Sequence, residues 1–546
     1  MLPIVDLFYS IHQATYFNAT GNFFFFQDIP YAAPPTGNLR FTAPMLPMAD
    51  RFNVHTGFGG RKCPQAPVPA WSVASSFASQ YLSGVPLGQI AIPELDTTPV
   101  TPGPQETEDC LYLDVMAPKD ALQSAVGQPT AVFSPPKPGA PVLVWIHGGS
   151  YTTGSKDFYG DLSGLYPRLD VAGIEKMVFV SINYRLGAFG FLAGSTVQMG
   201  GVANAGLLDQ RMALEWVRQN IFRFGGDPNR ITVMGESAGA GSVMFQLAAY
   251  GGHFGTPFQQ AIIQSPGYID ISTREAQDET FNTFLELAGA DSLQSLRALP
   301  SEDLMRANSL QVNTKSIFAF PPFGPAVDGI FAPTMPDHGL LNSPPTFDTG
   351  IPVMASRVSF EGLLFTQPDA ARYDDSLHDF MRQLLPGITE SAIRYVTSTL
   401  YPADYGRAGE LRYADPVQRA ARILSEAGFD CAARDLGIAL QGGAGLHAYE
   451  FAVPPALHAY DVPYTFWGGS EVDVPGPAGV NGTVANAIQM ALASFVAEGR
   501  PRDMPAYGPE RKCTRFSDEG ITVGTDGAVD RRCGFWQSRA YREEWG

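Results

Sequence analysis

Short apolar runs rich in β-branched residues recur along the chain, separated by longer polar stretches containing Gly and Pro. They fall at Leu111–Met116, Val142–Ile146, Met177–Ile182, Ile231–Met234, Ala261–Gln264, Ile351–Ala355 and Leu446–Val453. Most are too short for a helix and too uniformly apolar for a half-solvated strand, so they predict strands buried on both faces. Helical patterns follow several of them, notably Asp209–Asn220 and Ala238–Tyr250. Strands alternating with helices predict an α/β protein with a large, mostly parallel central sheet flanked by helices. Ligands of such folds sit beyond the carboxyl ends of the strands, so functional residues are expected in the turns that follow these runs.

No apolar run approaches the roughly 18 residues that span a bilayer. Even Phe23-Phe24-Phe25-Phe26 ends at once in Gln27-Asp28. The 546 residues are 45% apolar and only 16% charged, enough for a large core. Length alone suggests about three or four domains. Yet no repeat and no linker interrupts the chain, and the Pro-rich stretches 64–104, 118–141 and 471–482 read as surface excursions. One enlarged domain, 1–546, is therefore expected. With 54 Asp and Glu against 36 Lys and Arg, the formal charge of −18 repels phosphates, which excludes nucleic acid as a partner and favours solubility.

The most informative turn is Ile231-Thr232-Val233-Met234-Gly235-Glu236-Ser237-Ala238-Gly239-Ala240-Gly241. Gly-x-Ser-x-Gly alone is a weak pattern, but here a β-branched strand runs into the first Gly and an Ala/Gly-rich helix starts after the Ser. That is the strand–turn–helix arrangement of a nucleophile elbow, in which a strained turn lifts the hydroxyl above the sheet. Gly235, Gly239 and Gly241 lack the side chains that would collide as the helix packs on the strand. An ordinary capping serine at a Gly-rich helix start is the blander alternative. A serine nucleophile needs oxyanion donors, a histidine base and an acid to orient it. Val142–Ile146 runs into His147-Gly148-Gly149-Ser150, a small-residue turn suited to presenting backbone N–H groups; the expected donors are those of Gly149, Ser150 and Ala238.

Five histidines follow Ser237: His253, His338, His378, His447 and His458. His447 lies inside an alternating strand, as a structural histidine would. His458 follows Pro454-Pro455, on the loop beyond that strand, where a base that serves both nucleophile and leaving group belongs. Among the acids, Glu361 lies in the loop after the strand at Ile351–Ala355, at the same edge of the sheet. Its rival Asp328 stands in an Asp-Gly pair, more often a plain turn. The order Ser, acid, His is that of α/β-hydrolases.

The five cysteines permit two bridges and one free thiol. Cys63 with Cys110, and Cys513 with Cys533, each flank a stretch that suits a disulfide, leaving Cys431 over; five reduced core thiols are the alternative. The chain start has neither a basic nor a long apolar signal region, so it reads as cytosolic or as a mature form whose signal has been removed. The cysteines favour the second, and thus an extracellular protein. The sequons at Asn18 and Asn481 are candidate glycosylation sites.

These blocks together resemble the type-B carboxylesterase/lipase family, which includes cholinesterases and fungal lipases, and within it secreted fungal carboxylesterases. The resemblance runs from about Asp28 to the C-terminus and is densest over Asp28–Pro44, Glu108–Val115, the His-Gly-Gly segment, Asn183–Phe191 and Gly206–Gly241. It implies an α/β-hydrolase fold and a serine carboxylic-ester hydrolase that needs no cofactor or metal and takes a small-molecule ester. It carries the triad onto Ser237, Glu361 and His458 and the oxyanion donors onto Gly149, Ser150 and Ala238, with Ser150 in place of the usual Gly or Ala. Cys63–Cys110 matches the family's N-terminal disulfide, whose loop in related lipases forms a lid. Here 64–109 holds Trp71, Phe77, Tyr81 and Leu82, an apolar set that either covers an acyl chain or packs as core. A lid-bearing triacylglycerol or sterol-ester lipase, supported also by Phe318, Phe320 and Phe323, and a non-catalytic neuroligin-like adhesion module are the alternatives. The ester itself and the oligomeric state stay open at this point.

Overall fold

The computed structural model describes residues 2–57, 59–126, 139–268, 273–341, 347–385, 387–405, 413–440, 445–469 and 479–542. Eleven strands form its main sheet: β1 (Tyr16–Asn18), β2 (Phe23–Pro30), β3 (Tyr112–Pro118), β4 (Ala140–Ile146), β5 (Val178–Ile182), β6 (Gly226–Glu236), β7 (Gln260–Gln264), β8 (Val353–Val358), β9 (Leu446–Phe451), β10 (Lys512–Ser517) and β11 (Gly520–Thr525). Their spatial order is 11-10-9-8-7-6-4-5-3-2-1. Strands β4 to β10 run parallel, and antiparallel pairs close both edges. This is the mostly parallel α/β sheet that the pattern of runs predicts, in the α/β-hydrolase architecture that the resemblance implies, and each of those runs overlaps a strand.

Strands β3, β4, β5 and β8 are buried along their whole length, as two helix-covered faces require. Alternation sorts their side chains. Val142, Val144, Ile231 and Val233 pack with the helices Ala205–Asn220 and Ala238–Leu247, while Leu143, Trp145 and Met234 pack with the helix Gly482–Glu498 on the opposite face. The helix expected over Ala238–Tyr250 stops at Leu247, because Tyr250 and Gly251 turn left-handed at φ 56° and 64°. A third apolar cluster joins helices Ala70–Leu82, Asp374–Leu384 and Pro416–Ser425 to Trp536 and to Leu457. Among the described residues no helix is long and apolar enough to cross a membrane.

Parallel register aligns the strand ends. Glu236 pairs with Gln264, Gln264 with Ser356, and Val358 with Phe451. The turns after β4, β6, β8 and β9 therefore emerge along one edge of the sheet.

The cysteines correct one expectation. Cys63–Cys110 is a disulfide, but the second bridge is Cys431–Cys533, and Cys513 is a buried free thiol. Cys513 lies on β10, with its side chain among the core residues under the sheet, whereas Cys533 lies on the helix Asp530–Gln537, which docks on the turn before Cys431. Nearness along the chain was a poor guide because the β10–β11 hairpin intervenes. Burial pushes the Cys513 thiol up to about 12, so it is inert at neutral pH.

Candidate active site

Ser237 follows β6 directly, in a left-handed conformation with φ 55° and ψ −124°. Three backbone hydrogen bonds hold that strained turn: its N–H donates to the Gln264 carbonyl at 3.0 Å, and its carbonyl accepts from Gly241 at 2.9 Å and Gly267 at 3.0 Å. The glycines around it are steric necessities. A Cβ on Gly235 would stand 2.4 Å from the Gly239 carbonyl carbon, and one on Gly239 would stand 2.1 Å from the Ile146 carbonyl oxygen.

Two further turns bring the partners in. Glu361 opens a 3-10 turn, Glu361–Phe365, just past β8. Gly362 lets that turn press on the helix Pro416–Ser425, where a Cβ would come within 1.9 Å of the Ala421 carbonyl oxygen, and its N–H donates to Ser425 Oγ. The His458 loop beyond β9 is tied to the same turn by the Phe360 N–H donating to the Ala456 carbonyl at 3.0 Å. The outcome is a continuous chain of contacts. His458 Nε2 lies 2.8 Å from Ser237 Oγ, His458 Nδ1 lies 2.5 Å from Glu361 Oε2, and Glu361 Oε1 accepts from the Val358 N–H at 2.9 Å. Phe365 and Phe429 pack on the imidazole, with ring centroids 5.0 and 4.8 Å away.

The turn after β4 carries Gly149, Ser150 and Tyr151 at φ 111°, 55° and 61°. Its shape is fixed by the Gly149 carbonyl, which accepts from the N–H groups of Thr152 and Thr153. Among the described residues, no protein oxygen accepts from the N–H of Gly149, Ser150 or Ala238. Backbone N–H groups left open on such a turn and at a helix start are the kind of donor that anions accept from.

The competing residues are placed elsewhere. His447 sits on β9 with its Nδ1 3.0 Å from the Pro505 carbonyl, and burial holds its pKa down. Asp328 accepts from the N–H groups of Ile330 and Ala332 and from Asn204, which makes it a turn residue. Of Phe318, Phe320 and Phe323, only Phe320 lines the cavity beside Ser237.

Two carboxyls went unread in the sequence. Glu236, buried next to the nucleophile, has an oxygen 3.5 Å from His458 Nε2. Burial, only partly offset by His458, raises its pKa to about 8. Asp461, three residues after His458, accepts from Tyr449 and Gln264, and burial together with Glu361 raises it to about 7. Both stand close to motif residues in the sequence, Glu236 directly before Ser237 and Asp461 on the same loop as His458. Burial alone would lower the His458 pKa, but attraction to Glu361, then to Glu236 and Asp461, outweighs it and the net shift is upward.

Comparison with known proteins decides the family. Residues 13–526 match the model of the carboxylesterase family. The chain belongs to the carboxylesterase family, and is with it a serine carboxylic-ester hydrolase. It is 37% identical to carboxylesterase patB of Aspergillus clavatus over 98% of this chain and 96% of that one. With the para-nitrobenzyl esterase of Bacillus subtilis it shares 30% identity over 92% and 93% of the two chains. The structure of Aspergillus niger EstA superposes with a TM-score of 0.78 over 100% of this chain and 99% of that one, at 24% identity, a likeness of fold.

Proposed function

We propose that this carboxylesterase works through an acyl-enzyme formed on Ser237, with His458 as base and Glu361 as the acid that orients it. The observation that carries the reading is the unbroken hydrogen-bonded chain from Ser237 Oγ through both imidazole nitrogens to Glu361. His458 Nε2 takes the Ser237 proton as Oγ attacks the ester carbonyl. The oxyanion then rests on the N–H groups of Gly149, Ser150 and Ala238, each donor of this kind being worth on the order of 10² to 10³ in rate. His458 next protonates the departing alcohol, and a water activated by the same nitrogen releases the acid. Glu361 fixes the tautomer that leaves Nε2 free to accept.

The substrate is read as a small to medium, largely uncharged ester. The cavity beside Ser237 measures about 120 Å³ and is walled by aromatic and aliphatic side chains, among them Phe320, Phe365, Phe429 and Trp536. The lipase reading is less well supported, because of its three phenylalanines only Phe320 reaches that cavity. The adhesion-module reading fails to account for an intact acid–base chain. Residues 1–546 are read as one enlarged hydrolase domain in which 64–109 covers the catalytic edge: Trp71 lies 5.2 Å from Phe365, and the Tyr81 hydroxyl donates to Asp415. Two disulfides support an extracellular protein, with Asn18 and Asn481 as its glycosylation sites.

Replacing Ser237 by Ala should abolish hydrolysis of p-nitrophenyl butyrate and covalent labelling by an organophosphate while the circular dichroism spectrum is kept. Labelling that persists in Ser237→Ala would overturn the assignment.

A further inference from the structure

Strand β7 carries the aliphatic run Ala261-Ile262-Ile263 and then Gln264, an amide that is as deeply buried as they are. A buried polar side chain is kept by the hydrogen bonds that satisfy it, so its partners are where a role is to be sought. Gln264 stands between Glu236 of β6 and Ser356 of β8, beside the turn that carries Ser237. Its main-chain carbonyl accepts from the Ser237 N–H at 3.0 Å, one of the bonds of the strained elbow. Its side chain serves the other arm of the site: Nε2 lies 2.7 Å from the Tyr449 hydroxyl, 3.0 Å from Thr465 Oγ1 and 3.3 Å from Asp461 Oδ2.

All three partners belong to the chain around His458. Tyr449 is on β9, which leads into the histidine loop, and its hydroxyl donates to Asp461 Oδ2 at 3.3 Å. Asp461 and Thr465 open and close the short helical turn after His458: the Asp461 carbonyl accepts from the N–H groups of Tyr464 and Thr465 and from Thr465 Oγ1. Asp461–Thr465 is thereby one hydrogen-bonded unit, three residues beyond the imidazole, and the Gln264 amide anchors the side chains at both its ends.

On the acyl-enzyme reading above, we propose that Gln264 is a positioning residue that sets the separation of Ser237 and His458, holding the nucleophile's N–H with its main chain and the base's loop with its side chain. The reacting atoms stand 2.8 Å apart, and a displacement of about 1 Å at such a pair costs on the order of 10² in rate. A side chain of similar length without donors keeps the first contact and loses the second.

The same donor acts on a charge. The Asp461 carboxyl meets Gln264 and Tyr449, and the titratable groups whose charges interact with it are Glu361, His458, Glu236, Tyr159 and Tyr449. Burial and Glu361 push it up to about 7, and an N–H donated to it favours its ionised form. Against burial, which lowers it, the His458 pKa is raised by Glu361, then by Glu236 and Asp461. Loss of the Gln264 donor therefore leaves Asp461 more often neutral and lowers the His458 pKa. The acid limb of kcat/KM then moves to lower pH, by less than the full Asp461 contribution because Glu236 ionises more readily in turn.

The test is Gln264→Met, assayed with p-nitrophenyl butyrate across pH and by the rate of organophosphate labelling. With the circular dichroism spectrum kept, kcat and the labelling rate should fall together by about 30- to 100-fold while KM stays within about threefold. The acid limb should move down by about 0.3 pH unit or more. Asp461→Asn should move the limb in the same direction, and Gln264→Met added to it should move the limb no further. Tyr449→Phe and Thr465→Val, which each remove one contact, should lower kcat by about three- to tenfold and decide the matter should Gln264→Met not fold. A folded Gln264→Met with kcat within about threefold of wild type, or a loss matched by KM with the limb unmoved, would overturn the proposal, as would Tyr449→Phe and Thr465→Val both within about twofold of wild type. Wild-type Ser237 that took up no organophosphate would instead bring down the acyl-enzyme reading itself.

Discussion

Ser237 and Phe429 face the same cavity, but the backbone that holds each is built differently. Ser237 is clamped between parallel strands by glycines whose replacement would drive atoms to within 2.1–2.4 Å of a neighbouring main chain. Phe429 sits in a single wide helical turn, Glu426–Asp430, between the helices Pro416–Ser425 and Ala432–Ala439. What steadies that turn is remote in sequence: the Cys431–Cys533 bridge and the Arg532–Glu426 ion pair, both from the C-terminal helix. The catalytic edge is thus fixed locally by the sheet, and the pocket wall by long-range docking. Changes at the edge should strike the chemistry with the fold intact, and changes behind the wall should strike stability and substrate binding first.

The largest expected effect is at the edge. Glu361→Gln keeps the shape but loses the charge that holds the imidazole, and by analogy with the same change in serine hydrolases kcat should fall by about 10³- to 10⁴-fold. The pH profile sharpens the point. His458 acts as a base only when neutral, and its pKa is raised above the ordinary 6.5, so the acid limb of kcat/KM should lie above that value in the wild type. Without the Glu361 charge the limb should move to lower pH. A Glu361→Gln enzyme with wild-type kcat and an unmoved limb would break the distinction between edge and wall.

Next comes the wall. Cys431→Ser with Cys533→Ser should cost about 2–5 kcal/mol in denaturant unfolding and raise KM more than it lowers kcat. Cys513→Ser, on the sheet and in no bridge, should cost about 1–2 kcal/mol, the burial of one hydroxyl in place of a thiol. Titration of the denatured, unreduced wild type should find one thiol. Equal losses for the bridge and for Cys513, or three thiols, would remove the proposed tether.

The same contrast explains what could be read from the residues alone. Strands β4, β6 and β8 announce themselves by short apolar runs and β9 by alternation, and the edge residues Gly149, Ser237, Glu361 and His458 stand in the turns just after them, so a one-dimensional pattern carries their placement. The pairing of Cys533 with Cys431 carries no such pattern: the bridge spans 102 residues and is decided by how the helix Asp530–Gln537 docks. Glu236 and Asp461 are an intermediate case, adjacent to motif residues yet recognisable as neighbours of His458 only once the turns are folded.

The smallest expected effect tests whether the edge works through backbone alone. Ser150 replaces the usual Gly or Ala of the resemblance, and its φ of 55° is one that Ala must strain to reach as Ser does. Ser150→Ala leaves the N–H in place and removes only the hydroxyl beside the oxyanion. If the three backbone donors carry the stabilisation, kcat for p-nitrophenyl butyrate should change by no more than about threefold. A fall near 10²-fold, the size of a lost oxyanion donor, would mean that the hydroxyl itself reaches the oxyanion, and the edge would then owe part of its rate to a side chain rather than to the main chain that the sheet holds in place.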